Sequence, residues 1–160
     1  MSTVIHVPAG EGEKLWVVGD TYTLKATHET TGGVLGLIEA SVPAGGGPPP
    51  HVHDREDEAY YLLEGELEVQ DGDRTFLAGP GSFVFISRGT LHRFRNVGFG
   101  HARMLVLFTP AGFEEFFAAV GRPARPGEPA PPLDDDEIAR TCELAPRFGM
   151  DVHLPSPAAA

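Results

Sequence analysis

Short runs of alternating apolar and polar residues recur along most of the chain, and a period of two marks a half-buried strand. Residues 15–18 and 21–26 are two such runs, inside an N-terminal arm that spans 1–29. Gly32-Gly33 turns the chain. Residues 34–42 then alternate, with Leu35, Leu37 and Glu39 on one face and Gly36, Ile38 and Ala40 on the other. From Pro43 to Pro50 the pattern breaks. Proline lacks the donor a ladder needs and glycine has no side chain to pack, so a stiff connection is predicted there. Strands are expected again over 58–64, 66–70, 74–77, 82–86 and 91–96. Asp71-Gly72-Asp73, Gly79-Pro80-Gly81 and Arg88-Gly89 supply the turns between them. Residues 104–108 are almost all apolar, which predicts a strand buried on both faces.

Beyond residue 109 the period changes. Phe113, Phe116, Phe117 and Val120 stand at i, i+3, i+4 and i+7, one face of a helix. Thr109 is placed to cap it, Pro110 fits its first position, Glu114 and Glu115 favour its positive end, and Gly121 stops it. The phenylalanine stripe is expected to pack this helix on the strands as a lid over one end. A Pro/Gly/Ala linker over 121–132 leads to a second short helix that opens at Asp134, with Glu137 as a capping-box partner, and closes at Pro146 and Gly149. The tail from Pro155 is expected to be loose. Regular short strands with glycine-rich turns predict an all-β fold, an antiparallel jelly-roll barrel with short C-terminal helices. One domain covers 1–160, with the barrel core at 30–109, helices and linker at 110–150 and the tail at 151–160.

Composition narrows the possible partners. Lys+Arg 12 against Asp+Glu 23 gives a formal charge of 12 − 23 = −11, which repels phosphate backbones and argues against nucleic acid. Cys142 is the only cysteine, so no internal disulfide can form, as suits a reducing compartment. The N-terminus has no basic region followed by an apolar run, and no stretch approaches a membrane span. A cytoplasmic protein without membrane contact is expected.

The chemistry concentrates in two short stretches. The first reads Gly45-x5-His51-x-His53-x4-Glu58-x6-Gly65, the second Gly81-x5-Ser87-x-Gly89-x2-His92-x3-Asn96, and fifteen residues separate them. His-x-His on a strand turns both rings to one face. Three imidazoles and a carboxylate suit one divalent transition metal ion: Fe, Mn, Ni, Co, Cu or Zn. Glu56 is the fallback for Glu58. Parity carries Tyr60 and Leu62 inward with Glu58, and Phe94 and Asn96 inward with His92. Tyr60 is either a hydrogen-bonding group toward a bound molecule or an amphipathic wall residue. His6, His28, His101 and His153 lack a motif and read as surface or structural residues.

In these two stretches, positions 45–96, the chain resembles the cupin superfamily, departing from its pattern where Ser87 replaces a usual proline. The resemblance implies a metal held by His51, His53, Glu58 and His92. The approach to His51, the stretch 56–65 and the run 109–114 are similar to small single-domain bacterial cupins of the quercetinase-like kind. That likeness implies a dioxygenase acting on a flavonol or similar enolisable hydroxylated aromatic, with dioxygen as co-substrate and ring opening with loss of carbon monoxide. Glu58, at the metal, would be the general base, with Tyr60 beside it. The alternatives are a non-redox isomerase, decarboxylase or cyclase of a small metabolite or polyketide, or a non-catalytic binder of small molecules. A homodimer is expected from the family resemblance, and because the N-terminal arm, Trp16 included, needs a sheet edge or a partner.

Overall fold

The computed structural model describes residues 3–155, in which two antiparallel sheets form the body of the fold. The seven-stranded sheet runs, in spatial order, β11 (Arg122–Pro123), β1 (Glu13–Val17), β2 (Asp20–Ala26), β3 (Gly36–Val42), β10 (Ala102–Thr109), β5 (Asp57–Glu64) and β8 (Phe83–Ile86). The five-stranded sheet runs β12 (Met150–Val152), β4 (His51–His53), β9 (His92–Asn96), β6 (Leu67–Asp71) and β7 (Arg74–Ala78). Three short helices complete the described chain: α1 (His28–Thr31), α2 (Glu114–Val120) and α3 (Asp135–Leu144), with a 3-10 turn at Ala145–Phe148. This is an all-β jelly roll with few helices, the class the alternation predicted.

Alternation became burial. Along β3 the residues Gly36, Ile38, Ala40 and Val42 are buried while Leu37, Glu39 and Ser41 are half-buried, the faces read from sequence. These side chains meet Leu62, Leu67, Val69, Met104, Val106 and Phe108 in one core. The β6–β7 hairpin closes between Asp71 and Arg74, and Gly72 takes the left-handed conformation at φ 57° that its turn requires.

Several details differ from the sequence reading, each for a tertiary reason. β10 alternates rather than burying both faces: Leu105 and Leu107 are half-buried, on the outer face of the seven-stranded sheet, and beside Leu105 that face meets Ile5 and Val7 of the N-terminal segment. An all-apolar run cannot reveal which of its faces is turned outward. The connection at 43–50 does join a sheet in part, since Gly45 N donates to Asn96 O and Asn96 N donates to Gly46 O, both at 2.9 Å. Gly47 makes this approach possible: at φ 136°, a Cβ there would collide with the Phe94 carbonyl. Thr109 ends β10 and does not cap α2, whose N-cap is Phe113 without a side-chain bond. Pro110 therefore lies outside the helix.

Glu137 also departs from its expected part. Asp134 caps α3 by accepting from Glu137 N at 2.8 Å. The Glu137 carboxylate instead accepts from Val18 N at 2.7 Å, tying the helix to the end of β1. The N-terminal arm needs no second chain to bury Trp16. β1 pairs with β2 on one side and with Arg122–Pro123 on the other, and Trp16 is buried. Finally, β12 forms at residues expected to lead into a loose tail, and it pairs with the whole of β4. The tail beyond Pro155 lies outside the described residues. No helix among the described residues is long and apolar enough to cross a membrane.

Candidate metal centre

His51 and His53 point inward from β4, because the two positions share a face. His51 stands opposite His92 in the β4–β9 ladder, which brings the first residue of β9 to the same place. Glu58 arrives from the facing sheet, on β5, between Phe108 of β10 and Ile86 of β8. The four side chains are buried, and one donor atom from each lies within 4.8 Å of all the others. Glu58 Oε2 is 2.7 Å from His92 Nε2 and 3.4 Å from His53 Nε2. Donors bonded at 2.0–2.2 Å can stand at most about 4.4 Å apart, so this set needs only small side-chain movements to close on an ion.

What lies behind the rings decides how they face forward. His51 Nδ1 is 2.9 Å from Pro49 O, and His92 Nδ1 is 2.9 Å from Thr90 O. A carbonyl only accepts, so each Nδ1 carries a proton and each Nε2 is left toward the cluster. His53 Nδ1 is 2.7 Å from the buried Glu56 carboxylate and His53 Nε2 is 3.4 Å from Glu58, and neither nitrogen has a hydrogen bond of good geometry among the described residues. Three imidazoles turned Nε2-inward, one of them without a well-made hydrogen bond at either nitrogen, and a carboxylate make a donor set that fits a divalent ion.

The charges are uneven. Burial, with His92 and His53 nearby, pushes His51 down to about 3, so it is neutral. Burial opposes charge on His53 too, but its contacts with Glu56 and Glu58 prevail and raise it to about 9. Burial likewise opposes charge on Glu58, yet the facing His53 and His92 rings hold it below the usual carboxylate range.

His51, His53 and Glu58 stand on the wall of a narrow, mainly apolar cavity of about 50 Å³. Phe113, Phe116 and Phe117 bound it, so the stripe on α2 packs the helix and lines the cavity at once. The Phe113 ring meets the His53 ring edge-on at 4.2 Å. Phe94 lines the cavity as well, and packs edge-on against Tyr60 at 5.6 Å. Tyr60 itself is not on this wall. Its buried hydroxyl, on the Glu58 side, has no hydrogen-bond partner of good geometry among the described residues. Burial and then the Glu58 charge raise its pKa well above the ordinary value.

Several residues were not anticipated. Glu56, weighed only as a substitute ligand, sits behind His53; its place three residues after that histidine was the available signal. Tyr22 and Thr141 line the cavity, and the Tyr22 hydroxyl donates to Asp20 Oδ2 at 3.1 Å. Burial pushes Asp20 up to about 8, against the Tyr22 hydrogen bond and with help from the Glu137 charge. No local motif marks these residues. Asn96 turned inward and holds a loop: its Nδ2 donates to Val42 O at 2.9 Å and Gly100 O at 2.7 Å, and its Oδ1 accepts from Gly98 N at 2.9 Å.

A two-sheet jelly roll that points His-x-His, a glutamate and a further histidine into its interior defines a class of small β-barrel proteins able to hold a metal. Residues 38–108 match the family described as "Cupin domain". Residues 38–108 are thus a cupin domain. It is 26% identical over 115 residues to the quercetin 2,3-dioxygenase of Bacillus subtilis (strain 168), covering 72% of this chain and 34% of that protein. It is 36% identical over 94 residues to "Polyketide synthase CurC" of Streptomyces cyaneus, covering 58% and 60%. The chain thus spans about a third of the first relative's length and 60% of the second's. Among solved structures, a predicted oxalate decarboxylase from Thermotoga maritima superposes with a TM-score of 0.63 at 19% identity, over 66% of this chain and 99% of that one, a likeness of fold.

Proposed function

We propose that His51, His53, Glu58 and His92 bind one divalent transition metal ion, and that the chain is a dioxygenase of flavonols or similar enolisable hydroxylated aromatics. The observation that carries this reading is the position of the donor set. It lies on the wall of a narrow, phenylalanine-bounded apolar cavity, which a flat aromatic would widen by displacing those rings while one of its oxygens meets the cluster. The likeness to a quercetin dioxygenase over 72% of the chain supports the substrate class. A bound ion would supply Lewis acidity, lowering the pKa of a substrate hydroxyl. This chain's residues do the rest. The phenylalanines exclude water and hold the ring. Glu58, ionised at neutral pH, accepts the hydroxyl proton. Tyr60, catalytic by the sequence reading, stands off the cavity wall and stays protonated at neutral pH, so it packs beside Glu58 and takes no proton from a substrate.

Oxygen consumption with a panel of flavonols, measured on protein whose metal content has been determined, tests the proposal. Stoichiometric uptake supports it. Turnover that continues under argon replaces it with a second reading, a non-redox isomerase, decarboxylase or cyclase, which the 36% identity to a polyketide-synthase protein favours. Tight binding of a flavonol without any turnover would leave a binding protein.

The proposal extends to setting and assembly. The single cysteine, Cys142, suits the cytoplasm. The homodimer no longer rests on Trp16. Its support is the row of exposed Tyr61, Phe83 and Phe85 on neighbouring strands β5 and β8, an apolar face that a second copy would cover. Light scattering at micromolar concentration decides it, and a monomer would sink it.

A further inference from the structure

The two sheets meet differently on their two sides. On one side α2 packs against β1 and β3, and the 3-10 turn packs against β12. On the other, the outer strands β7 and β8 are both sheet edges, unpaired with one another among the described residues. Gly79-Pro80-Gly81 carries the chain from one edge to the other, and no helix lies over the gap.

That gap is a crevice of about 230 Å³. Its floor is His92. Val84 and Ile86 of β8 and Val69 of β6 form its walls, and all three share the inward face of their strands. Ile86 is also the register partner of Glu58, so the crevice runs up to the donor set. Its rim is mixed, with Ser87 and Thr90 at the turn into β9 beside the exposed Phe76 and Phe85. The phenylalanine-bounded cavity is lined by His51, His53 and Glu58 and does not include His92. The donor set therefore divides two spaces. One is apolar and touches three of the ligating residues; the other has a mixed rim and touches the fourth.

We propose that the β7–β8 seam is a second door to the metal centre, through which small ligands of the size of water or dioxygen reach the His92 side while an organic substrate fills the apolar cavity. The inference rests on the metal reading above but not on the identity of the substrate. An aromatic lying against His51, His53 and Glu58 closes the approach from its own side. A second reagent then needs a path that the first does not block. With its ring only 1% exposed, His92 leaves little width at the floor, so the seam selects for small molecules. Without the seam, a two-substrate reaction at this centre would have to load its small reagent first.

The test uses full-length protein loaded with cobalt(II), whose visible bands report ligands at the metal, and azide as the small probe. Ser87 is exposed at the rim. Ser87→Cys is made in a Cys142→Ser background, and the protein is folded and loaded before the introduced thiol is modified with a bulky maleimide. The plug is thus added after folding. Stopped-flow absorbance should show azide association slowed at least about tenfold after modification, with the cobalt spectrum before azide unchanged. Filling the apolar cavity with a flavonol should leave the rate within about twofold of the unliganded value. An unchanged rate after complete modification overturns the seam, and so does a rate that only the flavonol suppresses. Failure of the protein to take up cobalt removes the metal reading itself, and the seam with it. Cobalt uptake with a plug-sensitive azide rate but no flavonol binding leaves the seam standing and sinks only the substrate class.

Discussion

Glu58 and the His51–His53 pair face one another from strands that are held in opposite ways. β5 lies inside the seven-stranded sheet, laddered to β10 along one side and to β8 along the other. β4 is three residues long, meets β9 at the pair His51–His92, and takes the rest of its support from β12. The carboxylate is thus placed by a continuous sheet. The histidines are placed by the C-terminal strand and by acceptors behind their rings. The physical consequence is a division of labour. Changes on the β4 side should act on how tightly a metal is held, and changes on the β5 side on what happens once it is there.

The largest effect expected from this division is at Glu58. Glu58→Gln keeps an oxygen donor and nearly the same shape but cannot take a proton at neutral pH. It should bind metal within about tenfold of the parent, while turnover falls by about 10²–10⁴ at equal metal occupancy. Steady-state kinetics on metal-quantified protein checks this. A fully loaded Gln variant running at the parent rate would move the base elsewhere and break the division.

Glu56→Gln should do the reverse. Replacing the carboxylate behind His53 should weaken metal binding by about 10–100-fold and leave turnover per bound ion within about twofold of the parent. Competition with a chelator gives the affinity. Lost turnover at full occupancy and unchanged affinity would mean that Glu56 acts on the reaction and not on the ligand.

The pH dependence of metal uptake sharpens the same contrast. His53 is raised to about 9, so in the metal-free protein it carries a proton at neutral pH that an ion must displace. Apparent affinity should therefore rise by about tenfold per pH unit as pH climbs toward 9 and flatten above it. One proton should be released per ion by this group, measurable by calorimetry in buffers of different ionisation enthalpy. In Glu56→Gln the break should move to lower pH, because a group that raises His53 has lost its charge. A pH-independent affinity would contradict the charged His53.

The smallest effect expected is from β12. His153 N donates to Pro50 O at 2.8 Å, just ahead of His51. His153→Pro removes that donor, at a net cost of about 1 kcal/mol. Amide exchange in β4 should quicken while exchange in β5 stays at the parent rate. Equal acceleration in both strands would show that the two are held as one unit after all.

Much of this could be read before any coordinates. Gly36, Ile38 and Ala40 went inward as their alternation required, and the β6–β7 hairpin turned near Gly72. His51, His53, Glu58 and His92 converge because period-two geometry is local: within a strand, the face of a side chain depends only on its parity. Where local rules fail, the cause is also visible. Leu105 and Leu107 lie on the outer, half-buried face, which residues 104–108 by themselves cannot disclose. Thr109 and Pro110 had the right residue types for a helix start, but β10 continues through Thr109 and the helix begins four residues after Pro110.

The sequence by itself determined the class of fold, the inward faces of the strands and the donor set, since each follows from neighbours a few residues apart. Only the tertiary structure decided what surrounds that set. It brought β12 back beside β4, put Glu56 behind His53 instead of among the inward-facing donors, made the phenylalanines of α2 a cavity wall, and left β7 and β8 as bare edges against His92. Each of these depends on which distant segments meet, and the packing of a closed barrel sets those meetings, because no short-range pattern records where a chain will return.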